Sequence, residues 1–344
     1  MLTFAINYEF IRARKMRTVL LLLLTTSLEL TLTAQRPMVM PAALKAGDTI
    51  AVLSPSSTPD AETVERGCDA LREWGYVPVV GPHALSRYHG FAGTPQQRTS
   101  DLLWALQDST VRAIMCTRGG DGAVQLLRRI PLEVFARHPK WLIGFSDVTA
   151  LHSAEVSAGV MSIHGSMCDG IAARGERDSV NAVMQRLLQG ELPSYSVPAH
   201  PLNQPGKAIG RLVGGNLSVF CGLAGSDYDF LNRADEGLIL FIEDTQESMT
   251  KVDRLLHLIE IRGILPKLRG IIVGHFSKYK TQENGFADMY DMLHEYLQYY
   301  PIPVCYDFPV GHHSGQNLPM VEGCRVSLKV DGNGTQIVFE PEPK

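Results

Sequence analysis

Short apolar runs alternate with amphipathic stretches along this chain from residue 49 onward. Strand-like runs lie at 49–54, 77–80, 111–117 and 141–145. Stretches with the apolar spacing of helices separate them, at 60–74, 96–106, 123–129 and 147–157. Parallel strands need long connections of this kind, which are usually helical. The predicted fold class is therefore α/β, with a doubly wound, mostly parallel N-terminal sheet.

The alternation stops between residues 171 and 206, where charged residues are followed by four prolines. Prolines at this spacing favour an extended segment. We therefore place an N-terminal α/β domain at 46–170, a linker at 171–206 and a C-terminal α/β domain at 207–341. The C-terminal domain has strand-like runs at 238–242, 268–273 and 302–306, helix-like stretches at 249–261 and 287–299, and a hairpin within 325–340. A chain of 344 residues is too long for one ordinary core, which agrees with two domains.

The N-terminal segment has the pattern of a secretory signal peptide. Four basic residues at positions 12–17 precede an apolar stretch at 19–24, and Leu32-Thr33-Ala34 offers a small-residue cleavage site. The apolar stretch is too short to span a bilayer, so we expect no stable membrane anchor after cleavage. We predict a signal peptide at 1–34 and a periplasmic protein. If the segment is an ordinary N-terminal helix instead, the protein is cytoplasmic.

Charge and cysteine usage narrow the classes of function. The net charge of −4 argues against nucleic acid or an anionic membrane surface as a partner. The six cysteines stand singly, without CxxC pairs, and no HExxH pattern occurs. We therefore expect buried thiols, no metal site and no cofactor, although an exported protein could hold one or two disulfides.

Ser146 lies where a predicted buried strand turns directly into a helix, in the run Ile143-Gly144-Phe145-Ser146-Asp147-Val148. This corner has the form of a nucleophile elbow, in which a tight turn exposes the hydroxyl at the N-terminal end of a helix. The match is partial because Val148 stands where a second glycine is usual. The alternative is that Ser146 only caps the helix, and this motif alone does not separate the two interpretations.

A glycine-rich loop, residues 118–122, follows the strand-like run before it. Glycines let backbone N–H groups approach a substrate oxygen closely, so Gly119 and Gly120 are candidates for an oxyanion hole together with the N–H of Asp147. The loop could instead cradle a phosphate, but it lacks the Lys-Ser/Thr of a P-loop and the spacing of a dinucleotide site. A tight turn that requires positive φ is the structural alternative.

A base and an orienting acid are expected later in the chain. Glu243 and Asp244 end the apolar run 238–242, where active-site carboxylates are often presented, although a carboxylate there could equally cap a helix. His312 follows Pro309-Val310-Gly311 and precedes a loop of the kind that often carries function. Similar positions at strand ends are occupied by His164, His275 and His313. Residue types alone therefore leave the choice of base open.

A series of short motifs runs in order through the chain. They are Gly47-Asp48-Thr49-Ile50-Ala51-Val52 with Pro55-Ser56-Ser57, the stretch from Arg98 to Leu102, Arg118-Gly119-Gly120, the stretch from Ile143 to Leu151, His164-Gly165, Gly214-Gly215-Asn216-Leu217, Leu240-Phe241-Ile242-Glu243-Asp244, and Gly311-His312. Together they resemble the LD-carboxypeptidase family of serine peptidases, which includes the microcin C immunity hydrolases. The resemblance runs from about residue 47 to residue 340.

This resemblance implies a catalytic triad of Ser146, His312 and Glu243. The serine would lie on the N-terminal domain, the other two on the C-terminal domain, and the active site at the interface between the domains. The order Ser…Glu…His is one that assembles a triad on other folds. The family also implies a homodimer.

Three positions differ from the family pattern. Asp121 and Phe145 stand where tyrosine is usual, and Ser166 stands where proline is usual. The resemblance implies that Asp121 lines the cleft and that Asn216 contributes to substrate binding. The departure at Asp121 therefore bears on substrate preference more than on the chemistry.

The function implied by the resemblance is a serine LD-carboxypeptidase that removes the terminal D-Ala from muropeptide tetrapeptide stems in peptidoglycan recycling or remodelling. One alternative is hydrolysis of an amide in a peptidyl-nucleotide antibiotic, which aromatic residues that stack a base would favour. A second alternative is an exported two-domain solute-binding protein, because the signal peptide and the interdomain cleft fit a binder equally well.

Overall fold

Two β-sheets organise the part of the chain that the structure describes. The computed structural model describes residues 37–175, 178–313 and 316–342. The predicted signal peptide at 1–34 lies outside the described residues. In chain order the strands are β1 (Thr49–Leu53), β2 (Val77–Val80), β3 (Val111–Cys116), β4 (Trp141–Gly144), β5 (Ser162–His164), β6 (Ser194–Val197), β7 (Gly206–Asn216), β8 (Leu238–Thr245), β9 (Gly270–Ser277), β10 (Val304–Cys305), β11 (Met320–Glu322), β12 (Arg325–Asp331) and β13 (Gly334–Glu340).

The sequence analysis predicted six of the ten α-helices in the described ranges, each to within two residues at both ends. In chain order they are α1 (Ala61–Glu73), α2 (Pro95–Gln107), α3 (Val124–Leu127), α4 (Leu132–Arg137), α5 (Thr149–Ser157), α6 (Cys168–Arg174), α7 (Ser179–Leu188), α8 (Leu217–Cys221), α9 (Met249–Ile261) and α10 (Met289–Leu297). Caps define their starts: Asp60 accepts a hydrogen bond from the Thr63 N–H before α1, and Thr94 and Gln97 form a capping box at α2. None of the helices in the described ranges is both long and apolar enough to cross a bilayer.

The first sheet has the strand order β11-β5-β4-β3-β1-β2. Strands β1 to β5 are parallel, and β11 pairs antiparallel with β5 at one edge. Both faces of the sheet are buried: Ile50 and Val52 face one hydrophobic core, whereas Ala51 and Leu53 face another. The prediction of a doubly wound, mostly parallel N-terminal sheet is confirmed.

The second sheet has the order β10-β9-β8-β7-β12-β13-β6. Strands β7 to β10 are parallel neighbours, and β12, β13 and β6 extend the sheet antiparallel. The predicted hairpin corresponds to β12 and β13, which pair from Arg325 with Glu340 to Asp331 with Gly334. The C-terminal part is therefore α/β as predicted, with a mixed sheet.

The extended linker predicted at 171–206 is wrong for much of that segment. Helix α7 buries Met184, Leu187 and Leu188 in the hydrophobic core that residues of both sheets share, and β6 pairs with β13. The apolar spacing of α7 begins only after a charged stretch, and the prolines lie beyond its end. The charged and proline-rich composition of residues 171–206 as a whole therefore gave no indication of the amphipathic helix within it.

Strand β11 crosses from the C-terminal half of the chain into the first sheet, a return that the sequence analysis did not foresee. Its three residues are fully buried and lie opposite β5, with Glu322 facing Ser162 across the ladder. The described residues from Pro37 to Glu342 form one compact unit. The predicted domain bounds stay predictions. All six cysteines are buried free thiols, in agreement with the expectation of apolar thiols.

Two carboxylic acids, Glu155 on α5 and Glu322 on β11, are fully buried beside this crossing. No described lysine or arginine forms a hydrogen bond with either carboxyl group. Burial raises the pKa of both carboxyl groups well above the ordinary value for glutamate. Both are therefore neutral acids over a wide range of pH.

We expect the free energy of unfolding to fall as the pH rises through these raised pKa values. The unfolded chain releases the two protons at lower pH than the folded chain does, so the stabilisation is complete at acidic pH and is lost at alkaline pH. Each carboxyl group contributes a slope of at most about 1.4 kcal/mol per pH unit. Urea unfolding of Glu322→Gln between about pH 6 and pH 9 should show a shallower decline than the wild type. The exposed control Glu73→Gln should show the same decline as the wild type. Equal dependence of the unfolding free energy on pH in all three proteins would contradict the expectation.

Candidate active site

The chain turns sharply at Ser146, between the end of β4 and the start of α5. Ser146 has a φ of +64°, in the left-handed region that costs a non-glycine residue roughly 1–2 kcal/mol. A strained serine at a strand–helix corner is the arrangement of a nucleophile elbow. The turn that it opens has no side-chain cap, and the Ser146 hydroxyl contacts a histidine instead. The helix-cap interpretation of Ser146 is therefore not needed.

The side chains of Ser146, His312 and Glu243 form one hydrogen-bonded chain. Oγ of Ser146 lies 2.9 Å from Nε2 of His312, and Nδ1 of His312 lies 2.6 Å from Oε2 of Glu243. Glu243 is fully buried on β8, whereas the His312 side chain is 18% exposed. The serine follows a strand of the first sheet and the glutamate lies on a strand of the second. The structure thus brings together the three residues that the sequence analysis named.

The loop that carries His312 depends on the glycine before it. The Gly311 N–H donates to Oδ1 of Asn317 at 3.0 Å, which fixes the loop beside the end of β9. Gly311 has a φ of +114°, and a Cβ at this position would lie 2.8 Å from both Cβ and Oε2 of Glu243. A glycine is required here because any side chain would displace the carboxylate from His312.

The electrostatic environment suits His312 to act as a base. Burial disfavours its protonated form, but the adjacent Glu243 carboxylate outweighs burial and raises the pKa of His312 above the ordinary value. His164 is fully buried, and burial lowers its pKa well below the ordinary value. His275 and His313 pack against each other, with ring centroids 4.8 Å apart, beside a different cavity. His312 is thus the one candidate among these four that contacts Ser146.

The glycine loop after β3 packs directly against the serine. A Cβ on Gly119 would lie 2.8 Å from Cβ and 3.0 Å from Oγ of Ser146. Buried Arg98 on α2 supports the loop, since its guanidinium donates to the carbonyl oxygens of Pro55 at 2.6 Å and Gly122 at 2.9 Å. The backbone at Gly119 therefore lies against Ser146, and its role as an oxyanion donor stays a prediction.

The carboxylate of Asp147 has a structural role that the sequence analysis did not assign. It accepts hydrogen bonds from Ser56 Oγ at 2.6 Å and from the Ala123 N–H at 2.8 Å. Burial raises the pKa of Asp147 even though these two hydrogen bonds oppose the change. The Asp121 N–H donates to Ser57 Oγ at 3.1 Å. These contacts join the loops at the ends of β1, β3 and β4.

Asn216 lies in the wall of the cleft, but both ends of its amide are engaged within the protein. Nδ2 donates to Asp244 at 2.9 Å, and Oδ1 accepts from Ser218 Oγ at 2.9 Å and from the Val219 N–H at 3.2 Å. Burial, followed by the charge of Glu243, raises the pKa of Asp244 to about 6. Asn216 thereby fixes the start of α8, and its predicted role in substrate binding stays a prediction.

An open cleft of about 440 Å³ lies above the serine. It is lined from both sheets by Arg118, Gly119, Gly120, Asp121, Phe145, Ser146, Asp147, Met167, Asp169, Asn216, Ser218, Val219, Asp244, Thr245, Gln246, Glu247, Lys278 and His312. The sequence analysis missed Asp169, Gln246 and Lys278, whose only signal is a position in a loop beyond a strand or at a helix start. Among the described residues, no group of three or more His, Cys, Asp or Glu side chains is placed to hold a metal ion.

We expect Gly119→Ala to lower kcat by roughly 10²- to 10³-fold, the effect of removing one oxyanion donor. The new methyl group would meet Ser146 at 2.8 Å and would push either the serine or the loop away from its position. Steady-state kinetics should show the loss, and thermal unfolding should show that the variant is folded. Gly332→Ala, in the β12–β13 turn with no atom within 4 Å, is the matched control. A Gly119→Ala enzyme with wild-type kcat would contradict the placement.

Comparison with known protein families and structures agrees with this geometry. Residues 50–165 match the family description "LD-carboxypeptidase N-terminal domain", and residues 209–328 match "LD-carboxypeptidase C-terminal domain". The murein tetrapeptide carboxypeptidase of Pseudomonas aeruginosa is 30% identical over 279 residues, which cover 76% of this chain and 87% of that protein. The microcin C7 self-immunity protein of Escherichia coli is 27% identical over 336 residues, which cover 86% of this chain and 94% of that protein.

A solved structure shows the same architecture. The crystal structure of muramoyltetrapeptide carboxypeptidase from Oxalobacter formigenes superimposes on this structure with a TM-score of 0.77 at 25% sequence identity. The match covers 86% of this chain and 100% of the Oxalobacter chain. The two family matches fall on the two halves of the chain that supply Ser146 on one side and Glu243 and His312 on the other. With both of its domains matched over most of its length, this chain belongs to the LD-carboxypeptidase family.

Proposed function

We propose that this protein is a serine LD-carboxypeptidase that removes the terminal D-Ala from murein tetrapeptide stems during peptidoglycan recycling or remodelling. The observation that carries the proposal is the hydrogen-bonded chain Ser146–His312–Glu243 at the base of an open cleft. The family supports the class of reaction, and the named activity of the Pseudomonas relative supports the substrate.

In the acylation step, Nε2 of His312 takes the proton of Ser146 while Oγ attacks the carbonyl carbon of the scissile amide. Glu243 accepts the hydrogen bond from Nδ1–H, which fixes the tautomer of the imidazole and stabilises the imidazolium that forms. The electron pair of the carbonyl moves onto its oxygen. Backbone N–H groups of Asp147 and of Gly119 or Gly120 hold this oxyanion, and each such donor contributes about 3 kcal/mol.

The intermediate then collapses and the C–N bond breaks. His312 returns its proton to the leaving nitrogen, so that the terminal residue departs as a free amino acid and Ser146 remains as an ester. A water molecule next attacks this ester while His312 takes one of its protons. Release of the shortened peptide acid gives the proton back to Ser146 Oγ. One water is consumed for each bond cleaved, and the enzyme is unchanged.

Hydrolysis of a peptidyl-nucleotide is the second reaction that relatives perform, and the cleft gives it less support. Stacking of a base needs an accessible aromatic face. Phe145 is the one phenylalanine, tyrosine or tryptophan among the described residues that line the cleft. Its ring packs between those of His164 and His312, with centroid distances of 5.7 Å and 5.0 Å. This ring supports the catalytic histidine, and we therefore favour the peptide substrate.

Mass spectrometry of purified muropeptides before and after incubation with the protein tests the proposal. We expect tetrapeptide stems to lose one alanine, and pentapeptide stems and a peptidyl-nucleotide amide to remain intact. Cleavage of the peptidyl-nucleotide alone would favour the second reaction. Tight retention of a ligand with no turnover of any substrate would favour the solute-binding alternative.

We also propose that the chain is exported to the periplasm and acts as a homodimer. The N-terminal pattern at 1–34 supports export, and the family resemblance supports the dimer. Fractionation of cells that express the chain with and without these residues tests export, because only the longer form should reach the periplasm. Light scattering after gel filtration tests the dimer, and the mass of a monomer at micromolar concentration would contradict it.

A further inference from the structure

A carboxypeptidase has to recognise the free carboxylate at the end of its substrate. Apart from His312, the described lining of the cleft offers two cationic side chains for this, Arg118 and Lys278. Both are exposed, and neither forms an ion pair within 4 Å with another described residue. Arg118 precedes the glycine loop of the first sheet, whereas Lys278 directly follows β9 of the second.

The chemistry determines which side the carboxylate must occupy. His312 has to deliver a proton to the leaving nitrogen, so this nitrogen must lie beside Nε2 when the C–N bond breaks. In a single leaving residue, the carboxylate carbon is about 2.5 Å from that nitrogen. The terminal carboxylate therefore lies on the His312 side of the nucleophile, a few ångströms beyond the imidazole.

The strand pairing places Lys278 near His312. Lys278 directly follows β9, and His275 of this strand pairs with Gly311, the residue before His312. Burial and Glu243 have the largest effects on the pKa of His312. The Lys278 ammonium has a smaller effect, which lowers this pKa. Arg118 acts on Asp169 instead. Burial raises the pKa of Asp169, and the charge of Arg118 opposes this change. Lys278 is thus the cation that follows the strand paired with the His312 loop, whereas Arg118 belongs to the glycine loop of the first sheet.

The backbone around Lys278 is held in an unusual conformation. Lys278 has a φ of +56° and Gln246, at the end of the neighbouring strand, has a φ of +65°. The Gln246 N–H donates to the Ser277 carbonyl at 2.9 Å, and Thr245 Oγ1 and Ser277 Oγ are 2.9 Å apart. Two adjacent strand ends therefore terminate in left-handed residues that both line the cleft. Strain of this kind persists where the surrounding structure fixes it and is concentrated at ligand clamps.

We propose that Lys278 binds the terminal carboxylate of the leaving D-amino acid and so restricts the enzyme to the last peptide bond. This inference rests on the proposed carboxypeptidase function. An ammonium on a flexible stem suits the task because it acts as a point charge and tolerates small differences in the position of the carboxylate. Gln246 supports the strand end that presents it.

The test compares two substrates, a tetrapeptide stem with a free terminal D-Ala and the same peptide with a terminal D-alaninamide. For the wild type we expect kcat/KM to be higher for the free acid. Lys278→Met should lower kcat/KM for the acid by roughly 10- to 100-fold, the range for loss of a hydrogen bond to a charged group, and should bring the ratio of acid to amide close to one. Lys278→Arg should restore much of the preference for the acid.

Two further variants serve as controls. Lys280→Met removes a nearby exposed lysine that is not part of the cleft lining and should leave both rates unchanged. Arg118→Met should keep the acid preference whatever its effect on the overall rate. Labelling of Ser146 by a fluorophosphonate in Lys278→Met should match the wild type, which would show that the nucleophile is intact.

The outcomes separate this inference from the proposed function. If the wild type is active and the preference for the acid survives in Lys278→Met, the role of Lys278 is overturned but the carboxypeptidase function is not. The same holds if the preference disappears in Arg118→Met instead. A wild type that cleaves neither peptide overturns the carboxypeptidase function, and the role of Lys278 with it. A preference that collapses in Lys278→Met and returns in Lys278→Arg establishes the role.

Discussion

Ser146→Ala should lower kcat for tetrapeptide hydrolysis by roughly 10⁴- to 10⁶-fold, the effect of removing the nucleophile of a serine hydrolase. Without Oγ no ester can form, and His312 loses the group from which it takes a proton. The oxyanion donors and the cleft remain, so residual turnover above the uncatalysed rate is expected. Substrate affinity should change little. Single-turnover kinetics and calorimetric titration of the variant measure the two quantities separately.

Ser100→Ala is a suitable control because this serine is exposed on α2, outside the cleft. We expect wild-type kinetics for it. Thermal unfolding of both variants should match the wild type, because alanine keeps the Cβ and therefore the same strained φ at position 146. A Ser146→Ala enzyme that keeps more than a few per cent of kcat would exclude Ser146 as the nucleophile.

Glu243→Gln should lower kcat by roughly 10³- to 10⁴-fold, because the amide can no longer stabilise the imidazolium and can hold His312 in the wrong tautomer. The pH profile should change as well. Activity requires neutral His312, so kcat/KM falls as the pH drops through the pKa of this histidine, which Glu243 raises. With the carboxylate gone, burial dominates and lowers that pKa, and the acidic limb of the profile should move to lower pH.

Measurement of kcat/KM against pH for the wild type and Glu243→Gln tests this directly. An acidic limb that stays in place would show that the Glu243 charge does not act on the titrating group. Asp244→Asn is the informative comparison, since the neighbouring carboxylate faces Asn216 and Ser218 and does not contact His312. We expect it to affect the start of α8 and to retain a larger share of kcat than Glu243→Gln does.

Local patterns in the sequence were sufficient to predict four strands of the first sheet, β1 to β4, and the serine corner. Apart from Thr49 and Arg112, the runs at β1, β3 and β4 are apolar on both faces, a pattern typical of buried parallel strands. Turn chemistry likewise placed the hairpin of β12 and β13. For Ser146, the position at a strand–helix boundary was visible, but its hydrogen bond with His312 was not.

The remaining parts depend on contacts between distant segments, which spacing does not encode. His312 lies 166 positions from Ser146, and the resemblance to a family identified it where residue type left several histidines open. The crossing of β11 into the first sheet involves only three residues and has no periodic signal. The sequence did not identify Lys278 as a candidate for a similar reason. Its proposed role depends on the left-handed strand end and on the neighbouring cleft, and no motif marks it.

Peptide mapping by mass spectrometry after treatment with a fluorophosphonate tests the assembly of the site most directly. Such a reagent modifies a serine whose hydroxyl is activated by a neighbouring base. We expect a single adduct, on the peptide that contains Ser146, and a far slower reaction in His312→Ala. An adduct on a different serine, or modification of Ser146 at the same rate without His312, would contradict the conclusion that these two residues work together.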